Sequence, residues 1–201
     1  MNSLYIVGIL ISILLNNSVI KEVPVHNELE FFVYTNEKIQ NQIKIEYQNQ
    51  DDLTDVMRLL KEIPPKIVDC VDKIVLYDSE KEKNVAGISK DRNIELYKFS
   101  SYCVATQKHI LYHEFAHILG NKLMQSKILD YHYSDYAKAV KKDNNYVSTY
   151  SKKYIMEKNN YSEDFADSMA VYLIDSKKFK EKFGNRTEYI EKILEMLNDI
   201  E

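Results

Sequence analysis

The chain has few of the residues that interrupt regular secondary structure, since it contains only four glycines and three prolines. So few breaking residues favour a helix-rich fold. It also has only two cysteines, Cys70 and Cys103, whose positions do not match the spacing of a zinc–thiolate site. In a secreted protein the pair could form one disulfide, and the alternative is that both pack as small buried side chains.

An excess of positive charge is absent as well, because the formal net charge is −4 and the isoelectric point is near 5.8. A protein that binds the phosphate backbone of nucleic acid presents a basic surface, so no nucleic-acid partner is expected. The hydrophobic fraction of 45% is sufficient for a packed core, and the length suits one domain of ordinary size.

Residues 4–15 form an apolar run that has the length of the hydrophobic region of a signal peptide and is too short to span a membrane comfortably. No cysteine follows it closely, which excludes a lipoprotein anchor. We therefore expect a signal peptide at residues 1–22 and a single domain at residues 23–201. The mature protein would be secreted, with no stable membrane anchor after processing. An uncleaved anchor or a buried strand is the alternative for this run.

The most informative segment is an HExxH motif, from His113 to His117, within a helical pattern over residues 108–120. Histidines four residues apart lie about 5–6 Å from each other on one helical face, so both can bind one zinc ion. Glu114 would take a proton from a zinc-bound water, and Gly120 would end the helix. The alternative is a chance match with two buried histidines. The apolar face expected to enter the core consists of Leu111, Phe115, Ile118 and Leu119.

A catalytic zinc site needs a third protein ligand, whose position distinguishes the classes of zinc peptidase. A metzincin would have a histidine where this chain has Leu123, and His132 lies in no matching register. Glu163, at the start of a second helical pattern, is the better candidate, although acids are common in the first turn of any helix. Asp167 lies one turn later, where it can accept a hydrogen bond from a metal-bound histidine. The sequence thus predicts one zinc per chain, with the ligands His113, His117 and Glu163.

The HEFAH motif, the stretch from Val147 to Ser151 and the EDFAD segment from Glu163 to Asp167 together resemble the zinc metalloprotease family of anthrax lethal factor and the secreted Pro-Pro endopeptidases. The resemblance runs from about Ile63 to the C-terminus. It implies a zinc endopeptidase in which a tyrosine donates a hydrogen bond to the oxyanion of the tetrahedral intermediate. It also adds proline-rich cleavage sites to the expected substrates.

Two departures from the family pattern concern the site. The chain has Asp167 where the family has glutamate, a change that keeps a carboxylate. The family's tyrosine motif matches at Tyr150, but this residue lies farther before Glu163 than the family's fixed distance, so an insertion in the loop is expected. Tyr154 is nearer to that distance and has the weaker sequence context. Tyr150 is slightly favoured over Tyr154 as the oxyanion donor.

The periodicity predicts an α+β fold, in which a small mixed sheet with an edge hairpin packs on a helical bundle that carries the zinc site. The hairpin strands are residues 85–89 and 93–97. Gly87 would mark a close approach of backbone, and the alternative is an ordinary hairpin glycine. An extended peptide substrate could pair with this edge. The other predicted elements are a strand at 73–77 and helices at 51–63, 66–71, 134–142, 163–173 and near the C-terminus. Residues 29–34 and 43–47 are predicted to be strands, and the alternative is a poorly ordered leader.

The sequence therefore predicts a secreted zinc endopeptidase that hydrolyses a protein or peptide substrate, with Glu114 as general base and Tyr150 or Tyr154 at the oxyanion. Two alternatives stay open. One is a toxin-type protease that acts inside a host cell. The other is a zinc-stabilised binding protein without catalysis, which would have no need of Glu114.

Overall fold

The computed structural model describes residues 21–23, 29–125 and 132–199. Its strands are β1 (Lys21–Val23), β2 (Glu30–Tyr34), β3 (Ile43–Tyr47), β4 (Lys73–Tyr77), β5 (Gly87–Lys90) and β6 (Asn93–Tyr97). Its helices are α1 (Gln50–Leu60), α2 (Pro65–Val68), α3 (Val104–Gln125), α4 (His132–Asp143), α5 (Thr149–Lys158), α6 (Ser162–Ile174), α7 (Ser176–Lys182) and α8 (Gly184–Asp199).

The predicted signal peptide lies outside the described residues, except that Lys21 and Glu22 belong to β1. None of the helices within the described ranges has the length and apolar character needed to cross a membrane.

The six strands form one mixed sheet in the order β1-β2-β3-β4-β6-β5. Strands β3, β4 and β6 are parallel to one another, whereas β1 with β2, β2 with β3 and β5 with β6 are antiparallel. Asp91, in the turn between β5 and β6, has a positive φ of 55°, as tight hairpin turns require. The α+β fold class predicted from the sequence is confirmed, with the hairpin at the edge of the sheet.

The helix α1 packs its apolar side against the sheet because leucine and valine recur at helical spacing along it. The side chain of Asn49 caps its first turn by accepting a hydrogen bond from the backbone N–H of Asp51. The buried residues that join α1 to the neighbouring strand β3 are Leu53, Val56, Leu59, Leu60, Ile43, Ile45 and Tyr47.

The helix α3 begins four residues before the predicted segment 108–120 and continues through Gly120 to Gln125. The prediction that Gly120 ends the helix is therefore wrong. A Cβ atom at this position would collide with the hydroxyl of Tyr133 in α4 and would lie 3.4 Å from the ring of Phe165 in α6. Glycine is needed here because two neighbouring helices approach the backbone of α3.

The helix α6 packs along α3 through small side chains, since Ala166 and Ala170 are fully buried. This close packing brings the N-terminal turn of α6 to the middle of α3. The predicted core face of α3 is also confirmed, because its members are buried: Leu111, Phe115, Ile118 and Leu119.

Two helices have no counterpart in the sequence prediction, α5 and α7. The segment of α5 was expected to be an insertion in a loop, but it is a regular helix with a serine cap. The predicted C-terminal helix is present as α8, which buries Ile190, Ile193 and Leu197.

Both cysteines are free. Cys70 is buried, as the packing alternative predicted, and its thiol donates to the carbonyl oxygen of Lys66. Cys103 is exposed, so neither the disulfide nor the burial of this second cysteine is present.

Candidate metal centre and cleft

The two histidines of the HExxH motif project from one face of α3 towards the same point. The Nε2 atoms of His113 and His117 are 3.0 Å apart, and their rings are nearly perpendicular, with an interplanar angle of 83°. Both side chains are mostly buried, with 15% and 17% of their surface exposed. Spacing by four positions in a helix thus gives two imidazole nitrogens that can bind one ion.

Glu163 completes a triangle of donor atoms from the first turn of α6. Its Oε2 atom is 3.3 Å from Nε2 of His113 and 3.3 Å from Nε2 of His117. With zinc bonds of about 2.0–2.1 Å, two corners of a coordination tetrahedron are about 3.3 Å apart. The three donors are therefore close enough together to bind one metal ion, and the structure brings all three predicted ligands together.

Asp167 holds the ring of His113 from the side opposite this triangle. Nδ1 of His113 donates to Oδ1 of Asp167 at 2.9 Å, which leaves Nε2 directed at the other two donors. Nε2 of His109 is 3.4 Å from the same oxygen, and the hydroxyl of Ser148 donates to Oδ2. A carboxylate in this position fixes the tautomer and orientation of a metal-binding histidine. The sequence predicted that Asp167 accepts from one of the motif histidines without specifying which, and the structure identifies it as His113. The contacts with His109 and Ser148 were not predicted.

Glu114 lies next to the donor triangle and is almost buried, with 7% of its surface exposed. It packs against β5, where a Cβ atom on Gly87 would be 2.8 Å from its Oε1 atom. Burial raises the pKa of its carboxyl group above the ordinary value, against the opposing charge of His113 and a hydrogen bond from Ser89. A raised pKa makes a carboxylate a stronger base, as a group that accepts a proton from water must be.

The two candidate tyrosines lie one turn apart on α5, with their ring centroids 6.0 Å apart. Tyr150 lines the same cleft as the three donors and is 57% exposed. Burial and the charge of Glu163 raise the pKa of its hydroxyl. Tyr154 packs against Tyr150 and under the ammonium group of Lys158, which is 4.2 Å from its ring centre, and it does not line the cleft. Of the two, Tyr150 is the one that the fold brings to the site.

A single cleft of about 690 Å³ contains the donor triangle, Glu114 and Tyr150. One of its walls is β5, and within the described ranges no strand pairs with the outer edge of β5. The carbonyl oxygen of Ala86 accepts from the N–H of Tyr97 in β6. Because backbone groups alternate in direction along an antiparallel strand, those of Gly87 and Ser89 face the open edge.

No protein-family profile matches the chain, and no curated protein matches it significantly. The resemblance to the lethal factor and Pro-Pro endopeptidase family thus stays a prediction.

Sequence reasoning missed three residues that contact the site: Ser89, His109 and Ser148. Ser148 had a recognisable signal, because a serine three positions before another hydrogen-bonding residue is the pattern of a helix cap. His109 precedes the motif by one helical turn, so its face could have been read from the sequence. Ser89 had no such signal, since its contact with Glu114 depends on how the sheet packs on α3.

Proposed function

We propose that this protein is a secreted zinc-dependent endopeptidase. The observation that carries the proposal is the combination of three zinc-type donors at tetrahedral spacing with an almost buried carboxylate, Glu114, that is not one of them. A purely structural zinc site has four protein ligands and is closed, whereas a catalytic one keeps a position open. Here three protein donors border a cleft, which supports a catalytic site.

In this proposal His113, His117 and Glu163 hold one zinc ion, and Asp167 keeps His113 in the binding tautomer. Zinc, when bound, activates a water molecule and polarises the substrate carbonyl group. Glu114 takes the proton from the attacking water and later delivers it to the leaving amine.

Tyr150 donates its hydroxyl proton in a hydrogen bond to the carbonyl oxygen of the substrate as negative charge develops there. Its place in the lining of the cleft that holds the three donors supports this role better than the position of Tyr154, which lies outside the cleft. A tyrosine hydroxyl is protonated at neutral pH, as a hydrogen-bond donor must be, and burial, which raises its pKa further, acts in the same direction.

The substrate in this proposal is an extended peptide that adds to the sheet as a strand beside β5. The supporting observations are the open edge of β5, the backbone groups of Gly87 and Ser89 that face it, and the position of Glu114 directly behind this strand. Pairing through backbone groups accepts many side chains, so the surrounding pockets would select the sequence.

Cleavage of a peptide library by the purified protein tests the proposal, with three matched samples: the wild type, the wild type with a chelator, and Glu114→Ala. We expect cleavage at defined sites that stops with the chelator and returns with added zinc. Glu114→Ala should keep one zinc per chain and lose activity by about 10²–10⁴-fold.

Two outcomes of this experiment would contradict the proposal. Near-normal turnover by Glu114→Ala would refute the mechanism. A wild type that binds zinc and cleaves no peptide would favour the zinc-stabilised binding protein instead. A cleavage profile without enrichment of proline beside the cut would reject proline-rich substrates and leave the endopeptidase proposal intact.

A further inference from the structure

The helix that carries Tyr150 is attached to α6 by two serine hydroxyl groups. Ser148, the N-cap of α5, donates to Oδ2 of Asp167, and Ser151 donates to Oδ2 of Asp164 at 3.0 Å. We call Ser148 and Ser151 the serine clamp. Tyr150 lies between them in the sequence, so the clamp holds the turn of helix from which the Tyr150 side chain extends.

The two serines are also bonded to each other. The backbone N–H of Ser151 donates to the hydroxyl oxygen of Ser148 at 3.0 Å, and that of Ser148 donates to the hydroxyl oxygen of Ser151 at 3.3 Å. This reciprocal arrangement is a capping box, which fixes the backbone of the first helical turn. Each hydroxyl oxygen accepts from this turn and can donate its proton to α6, although the carbonyl oxygen of Ser148, at 3.2 Å, is a second acceptor for the Ser151 hydroxyl.

The attachment points on α6 are themselves held in place. Asp164 is fully buried, and its Oδ1 atom accepts from Nε of Arg186 and from the hydroxyl of Tyr136, both at 2.8 Å. Asp167 is hydrogen-bonded to His113. The clamp therefore fastens α5 to a rigid part of the core and to the residue that orients a metal ligand.

Apolar packing of α5 is limited to partly buried side chains, among them Ile155, which packs against the hydrophobic core. Ser151 is the only buried residue of this helix, whereas Tyr150 and Met156 are 57% and 70% exposed. A short helix with little buried apolar surface has low stability by itself. The polar contacts at its N-terminus thus add to this limited packing in fixing its position relative to the cleft.

We propose that Ser148 and Ser151 are positioning residues that hold the hydroxyl of Tyr150 over the metal ligands. This inference rests on the proposed endopeptidase function. It extends that function to the tyrosine motif, because it assigns a role to the serines on both sides of Tyr150. The clamp acts through Tyr150; of its two serines, Ser148 lines the cleft, whereas Ser151 is fully buried and lies outside it.

The first test is a double-mutant cycle of Ser151→Ala with Tyr150→Phe. Thr149→Ala is the matched control, because it removes an exposed hydroxyl from the same turn. A displacement of a reacting group by about 1 Å can lower the rate about a hundredfold, so we expect Ser151→Ala to lower kcat by about ten- to a hundredfold with little change in KM. In the Tyr150→Phe background the same substitution should have almost no further effect on kcat. If the fold losses in kcat of the two single variants multiply in the double variant, the proposal is overturned. The loss caused by Ser151→Ala would then be independent of the Tyr150 hydroxyl, as expected for a general structural defect.

The second test measures hydrogen exchange of the backbone amides of α5 in the zinc-loaded protein and does not need activity. Ser151→Ala should accelerate exchange across residues 149–158 while zinc content and exchange in α6 stay as in the wild type. Ser148→Ala should act in the same direction, and Ser148→Thr, which keeps the hydroxyl, should restore the slow exchange. Unchanged exchange in both alanine variants would overturn the clamp. If the wild type cleaves no peptide, the proposed function fails, and this measurement still decides whether the clamp exists.

Discussion

The side chain of Glu114 lies against the backbone of Gly87, so that a Cβ atom on Gly87 would be 2.8 Å from Oε1 and 2.9 Å from Cγ of Glu114. Non-bonded carbon atoms keep a separation of about 3.5–4.0 Å, so Gly87→Ala should displace the Glu114 side chain. We expect kcat to fall by at least about tenfold, since a general base must be accurately placed. Zinc content, measured by elemental analysis, should not change because Glu114 is not a ligand.

Lys90→Ala, at the exposed end of the same strand, is the control and should leave kcat unaffected. If Gly87→Ala has the kcat of the wild type, Glu114 adjusts freely and the contact has no role in placing it. Substitution of Gly87 does not by itself report on substrate pairing, because it moves the base as well.

Glu163 and Asp164 are neighbours in α6 but contact different partners. Oε2 of Glu163 faces His113 and His117, whereas Asp164 accepts hydrogen bonds from Arg186. Glu163→Ala should weaken zinc binding by more than the about 10–100-fold that follows loss of a hydrogen-bond partner of a ligand. Asp164→Ala should instead lower the melting temperature and leave one zinc per folded chain.

Calorimetry and zinc titration of both variants distinguish these roles. If Glu163→Ala binds zinc tightly and a folded Asp164→Ala does not bind it, then Asp164 and not Glu163 is the third ligand. This result would also remove the resemblance to the lethal factor and Pro-Pro endopeptidase family.

The free energy of unfolding of the metal-free protein should depend on pH through the titration of His113. Burial acts to lower the pKa of His113, but its hydrogen bonds to Asp167 and Glu163 outweigh burial and raise the pKa from 6.5 to about 10. Because the pKa of His113 is higher in the folded than in the unfolded protein, its protonated form stabilises the folded state. This contribution is complete below about pH 6.5 and is lost as the pH rises through about 10. We expect the free energy of unfolding in urea to decline over this interval.

Asp167→Asn is the comparison for this pH dependence, because it removes the charge that favours protonated His113. The decline should be smaller in this variant, and an equal decline in both proteins would assign it to other groups. Zinc displaces the proton on Nε2, so the apparent zinc affinity of the wild type should rise over the same interval.

The HExxH helix and the sheet strands were predictable because their signals are local. Four-residue spacing puts His113 and His117 on one face in any regular helix, and one helical turn joins Glu163 to Asp167. The prediction for Gly120 was wrong because the sequence does not distinguish a glycine that ends a helix from one that allows a neighbouring helix to pack closely. Only the packing of α4 and α6 distinguishes them.

The helix α5 was missed for a different reason. Its sequence has no apolar stripe, since Ser151 is the only residue that it buries, and helical periodicity is detected through such a stripe. Its anchors, Asp164 and Asp167, lie on another element. The serine cap marks where α5 begins, but the sequence of the helix does not show which distant residues hold it in place.

Arg186 provides a test of what holds the helical part of the fold together. Its side chain is fully buried, with Nε 2.8 Å from Asp164 and a terminal nitrogen 3.2 Å from Asp143. Arg186→Ala leaves buried acids without their partner, which costs about 3–5 kcal/mol of unfolding free energy in such networks. Arg92 pairs with Asp72 at the surface, so Arg92→Ala should cost about 1 kcal/mol or less. Urea unfolding measures both, and equal losses would contradict the central role of the buried arginine.

The last prediction separates pairing of the substrate with β5 from placement of Glu114. If a peptide adds to the open edge, only every second residue of the peptide bonds to the backbone groups of Gly87 and Ser89. A series of substrates, each with one N-methylated amide, should therefore show an alternating pattern. Methylation of the pairing residues should raise KM by about tenfold or more, and methylation of the residues between them should be tolerated. The Gly87→Ala enzyme should show the same alternation at a lower kcat, because its displaced base does not change the pairing. A KM that is insensitive to methylation, or that rises equally at every position, would mean that the substrate binds elsewhere in the cleft.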